Sequence, residues 1–130
     1  MVTQYYTKKE LKQYAKDTYQ WCVDNFGSPL KGGQLPKLRI HFTNRRMAKG
    51  VYIAQSREIY IYMIHLTSIK DLVETIVHEY THFLQMPKLN DGMKYHRLYM
   101  KDGYDNEFER EAYEAEEKYA DVVLKHLNLI

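Results

Sequence analysis

Residues 78–82 read HEYTH, two histidines four positions apart with Glu79 directly after the first. On a helix, positions i and i+4 are neighbours on one face, so His78 and His82 can share one cation. Neutral imidazole is a good ligand for Zn²⁺. Glu79 falls about 100° round the helix from His78, beside the ligand face and free of it. A general base for a metal-bound water belongs there. Two ligands do not complete such a site, because catalytic zinc takes three protein ligands and keeps one position open. The plainer alternative is two histidines on a solvated helix face.

A third ligand must come from further along the chain. Downstream donors are His96, Asp102, Asp105, Glu107, Glu109, Glu111, Glu114 and Glu116. On a wheel for the last helix with Phe108 at zero, Ala112, Tyr119, Ala120, Val123 and Leu127 define an apolar arc of about 120°. Glu109 and Glu116 fall inside it, whereas Glu107, Glu111 and Glu114 fall outside and read as a solvated face. A core-facing carboxylate is costly unless it is paired or metal-bound. Glu109, at the start of that helix, is better placed to reach the metal, and Glu116 reads as a supporting or edge-of-core residue. His96, in KYHRLYM, is the rival third ligand.

The elements that must position these residues follow from periodicity. Residues 7–27 read as an amphipathic helix with a Thr7/Glu10 capping box and a stop at Gly27. SPLKGGQLP (28–36) is a turn-rich loop. KLRIHFT alternates as a half-buried strand, and 50–55 and 58–64 read as a β-hairpin turning at Ser56-Arg57. Residues 68–86 form the motif helix, opened by Ser68 with Asp71 three positions on and closed by Pro87. On its wheel the histidines share a polar side with Asp71, Glu74, Thr75 and Gln85, opposite Ile69, Leu72, Val73, Ile76, Tyr80, Phe83 and Leu84. Residues 87–106 read mostly as loop, with a short helix near 94–100, and 107–129 as a long final helix. The expectation is an α+β fold: an N-terminal helix, a small three-stranded mostly antiparallel meander, the motif helix and a glutamate-bearing C-terminal helix.

Composition sets the outer bounds. At 130 residues the chain predicts one domain over 1–130. Apolar residues make up 45% and charged residues 28%, as in ordinary soluble proteins. A net charge of +2 does not argue for nucleic acid, and the basic cluster NRRMAK (44–49) reads as a solvated loop. Cys22 is the single cysteine, which excludes an internal disulfide and a multi-thiolate metal site and predicts a buried inert thiol. No signal core or long apolar run is present, so a cytoplasmic protein without a membrane anchor is expected, and a monomer.

HEYTH followed by NEFEREAYEAE (106–116) resembles the zincin metallopeptidases of the gluzincin type. In that group the third ligand is a glutamate on a later helix, often with an alanine three residues on, as in Glu109 and Ala112. The element order also resembles the minigluzincins and small HExxH zincins encoded by phages. The resemblance implies one catalytic Zn²⁺ held by His78, His82 and Glu109, with Glu79 as general base for peptide hydrolysis. The substrate would be a peptide or protein, laid as an added strand along an exposed edge at 50–55 or 58–64. Tyr95, His96, Tyr99 and Tyr104 are the candidates for steadying the oxyanion. Two other readings stand beside it. One is a catalytically silent zinc- or peptide-binding module. The other is a SprT-like, DNA-associated protease with His96 as third ligand.

Overall fold

The computed structural model describes residues 1–43, 46–89, 97, 100–101, 103 and 106–130. Its elements run in the expected order: helix α1 (Lys8–Phe26), strands β1 (Lys37–His41), β2 (Gly50–Ile53) and β3 (Glu58–Tyr62), motif helix α2 (Ile69–Gln85) and closing helix α3 (Glu107–His126). The fold is mixed α+β.

Local chemistry sets each helix end. Thr7 and Glu10 form a reciprocal capping box at the start of α1, and Gly27 ends that helix at φ 65°. At α2 the box is only half formed. Ser68 accepts from the Asp71 amide, but the Asp71 carboxylate turns to Thr67 and to Lys49, 3.0 Å away. A short 3₁₀ turn, Met63–His65, follows β3, so that strand stops two residues before the expected end. The last helix likewise stops at His126 rather than 129.

The sheet differs from the expected meander. Its order is β1-β3-β2: β1 runs parallel to β3, with Leu38 opposite Ile59, and β2 antiparallel to β3, with Tyr52 opposite Ile59. It is therefore mixed rather than mostly antiparallel. The hairpin between 50–53 and 58–62 is as expected, but β1 enters on the far side of β3. β3 is thus central, with Ile59 and Ile61 fully buried, and of the two candidate edges only β2 is one. Central strands bury both flanks, which suits the denser apolar content of EIYIY.

The core lies between the inner face of the sheet and the helices. Leu11, Ala15 and Cys22 of α1 and Leu72, Val73, Ile76, Tyr80 and Phe83 of α2 are at or near zero exposure. Tyr80 also donates its hydroxyl to the Gly27 carbonyl, tying the motif helix to the end of α1. Burial pushes the Cys22 thiol up to about 12, so it stays protonated and inert, as expected. No helix among the described residues is long and apolar enough to cross a membrane.

Candidate metal centre

Helix α2 is buried nearly all round, and its polar face is not wet. His78, Glu79 and His82 are all buried, at 9, 8 and 6% exposure, because α3 lies along that side of the helix. This removes the reading of two histidines on a solvated face. Buried imidazole and carboxylate groups need partners, and these have them.

Glu109 is placed by the start of α3. Asn106 is the N-cap, and its side-chain oxygen accepts from the Phe108 and Glu109 amides at 3.0 and 2.9 Å. Its amide group also donates to the Gly103 carbonyl. This fixes the first turn of the helix, with Glu109 inward at 4% exposure and Ala112 buried one turn on. The Glu109 carboxylate stands between the two imidazoles: Oε2 lies 3.2 Å from Nε2 of His78, and Oε1 lies 2.7 Å from Nε2 of His82. One ligand atom from each of His78, His82 and Glu109 can be chosen so that all lie within 4.8 Å of one another. This group could hold a metal ion.

The outer nitrogens are held as firmly. Nδ1 of His78 donates to Oε1 of Glu116 at 2.9 Å, and Nδ1 of His82 donates to Oε1 of Gln85 at 2.8 Å. Gln85 in turn donates to the Phe108 carbonyl and to Glu111. With both Nδ1 atoms engaged, both Nε2 atoms are the ones turned to the shared centre. Partners of this kind fix the tautomer and ring orientation of a ligating histidine.

The charges are strongly coupled. Burial disfavours the His78 cation, but the bonds to Glu109 and Glu116 and the nearby Glu79 outweigh it and push the pKa up to about 10. Burial raises the Glu79 carboxyl, while His82, His78 and a hydrogen bond from the Tyr52 backbone pull it back. Glu74 is also raised, first by burial and then by Glu116.

The site opens into a cleft of about 900 Å³. Edge strand β2 forms one wall through Gly50, Val51 and Tyr52, and Tyr113 and Glu116 of α3 stand on the other. Arg46 and Lys49 line it just before β2. Gly50 is required there: a Cβ would meet Thr75 Cγ2 at 2.8 Å and the Tyr60 carbonyl at 3.0 Å.

The structure thus brings His78, Glu79, His82 and Glu109 together. Glu107, Glu111 and Glu114 are exposed, as the wheel indicated. His96, the rival ligand, and the oxyanion candidates Tyr95, Tyr99 and Tyr104 lie outside the described residues, as do Asp102 and Asp105 and most of the expected short helix near 94–100. Two residues were not singled out by the sequence. Gln85 was seen only as a neighbour on the histidine face, and Tyr113 not at all, although it stands at i+4 from Glu109. No family model, curated protein or solved structure matches the chain.

Proposed function

We propose that this protein is a zinc-dependent metallopeptidase of the gluzincin kind, with His78, His82 and Glu109 as ligands and Glu79 as general base. The observation that carries the reading is the convergence of two imidazole Nε2 atoms on one carboxylate at the floor of an open cleft, with a second buried carboxylate, Glu79, beside them.

The donor set and spacing fit zinc. Ligands about 2.0 Å from a tetrahedral ion stand about 3.3 Å apart. The contacts of Glu109 with the two imidazoles, 3.2 and 2.7 Å, lie near that spacing, and the three ligand atoms lie within 4.8 Å of one another. Two imidazoles and one carboxylate are a common catalytic set, and among the described residues no fourth side chain joins the group. That favours an open site over a closed structural one.

When bound, the ion would supply positive charge to polarise a peptide carbonyl and acidify a water. Glu79 takes the water proton and passes it to the leaving amine. Its burial suits the task, since a raised carboxyl holds and releases a proton nearer neutral pH. β2 presents a sheet edge along the cleft, on which an extended peptide can add backbone hydrogen bonds. The raised His78 belongs to the state without metal, in which a proton bridges the carboxylates that would otherwise repel.

The test joins metal analysis to turnover. Protein purified without chelator should carry about one zinc per chain, as a single three-ligand site requires, and should cleave unstructured peptides. Glu79→Gln should keep the zinc and lose turnover. A metal-free preparation would overturn the ligand assignment, and full activity in Glu79→Gln would overturn the general base.

A further inference from the structure

Tyr113 packs its ring edge-on to the His78 imidazole, with centroids 4.7 Å apart and planes at 67°. It sits one turn after Glu109 on α3 and lines the cleft on the side away from β2. The side chain is 55% exposed, the most open aromatic group at the site. Most of its surface therefore serves no packing role, although its ring is fixed against a ligand. Among the described residues its hydroxyl makes no hydrogen bond.

Hydrolysis of a peptide develops negative charge on the carbonyl oxygen, and donors preorganised toward that charge are worth more than contacts to the ground state. The other polar groups at the floor do not suit the task. Glu79, Glu109 and Glu116 are acceptors when ionised, and Nδ1 of each histidine is already engaged. Lys49 is held by Asp71. Tyr113 alone among the described floor and wall residues offers a neutral, uncommitted O–H at a ring that a ligand imidazole orients. From this we infer that Tyr113 is a catalytic residue of the metallopeptidase proposed above, donating its hydroxyl to the oxyanion of the tetrahedral intermediate. The inference rests on the metallopeptidase reading and adds to it a residue of described position.

Zinc-loaded wild type and Tyr113→Phe are compared in three measurements: zinc content, peptide turnover, and binding of a phosphinic peptide that copies the tetrahedral anion. The variant keeps its ring against His78, so zinc content should not change. kcat should fall roughly 100-fold with KM little altered, and the phosphinic peptide should weaken by a similar factor. A plain product peptide, which lacks the tetrahedral anion, should bind both proteins alike. If wild type turns over peptide and binds the phosphinic peptide, and Tyr113→Phe matches it in both, the role of Tyr113 is overturned and the metallopeptidase reading stands. If zinc-loaded wild type neither cleaves peptide nor binds the phosphinic peptide, the reading beneath it fails and the role of Tyr113 falls with it.

Discussion

Oε1 of Glu116 lies 2.9 Å from Nδ1 of His78, on the opposite side of the ring from the nitrogen that faces Glu109. The two glutamates, two turns apart on α3, thus grip one imidazole from both sides. If this grip orients a ligand, Glu116→Gln should weaken zinc by about 10- to 100-fold, the usual cost of losing such a partner. Glu109→Ala removes a ligand and should cost more. His96→Ala should cost little. Competition against a chromophoric chelator ranks the three, and a greater loss from His96→Ala than from Glu109→Ala would favour the SprT-like site.

Stripping the metal should expose a pH dependence. His78 titrates near 6.5 when unfolded and is pushed up to about 10 when folded, so folding takes up a proton between those values. Its contribution to stability is full below about pH 6.5 and fades as pH rises through about 10. The urea midpoint of chelator-treated protein should fall across that window, and in His78→Gln this part of the fall should vanish. Zinc needs the neutral ring, so zinc affinity should rise over the same window, by up to about tenfold per pH unit. A pH-independent affinity would contradict the proton bridge.

Gly50→Ala tests how closely β2 must approach α2. The added methyl would press on Thr75 and on the Tyr60 carbonyl. Overpacking of this kind costs about 1–3 kcal/mol. Denaturant unfolding should show that loss. Because Gly50 also lines the cleft, peptide turnover should fall further than stability alone explains.

Thr18 offers the opposite case. It is fully buried on α1, and among the described residues its hydroxyl has no partner. Thr18→Val keeps the shape and removes the unsatisfied group. Unfolding free energy should rise by about 1 kcal/mol, with zinc content unchanged. A clear destabilisation would mean that the hydroxyl is satisfied in solution.

Much of the site was readable because it rests on helical periodicity. HEYTH offered two candidate ligands and a candidate base by spacing, and the inward position of Glu109 followed from the apolar arc of α3. Strand pairing was not readable in the same way. Alternation in KLRIH marks which side chains face inward, but not which strand lies beside it, and β1 pairs with β3 across an intervening strand. The wheel also separated polar from apolar faces without telling wet from dry. The histidine face of α2 is polar because α3 brings Glu109 and Glu116 to meet it. Gln85 and Tyr113 were missed for a related reason. Each makes a contact with another helix that spacing along its own does not show, Gln85 with Phe108 and Glu111 and Tyr113 with His78, and Tyr113 is one of thirteen tyrosines.

The near-complete enclosure of α2 divides the molecule by how freely it can be altered. Thirteen positions along that helix are buried, so almost any exchange there strikes a neighbour or the candidate ligands. Two margins are less restricted: the residues just ahead of β2, where Met47 is almost wholly exposed, and the outer flank of α3, where Glu107, Glu111 and Glu114 are exposed. Under the proposed peptidase reading, descendants of this chain with other peptide preferences would be rewritten at those margins, around a floor that inheritance would leave nearly untouched.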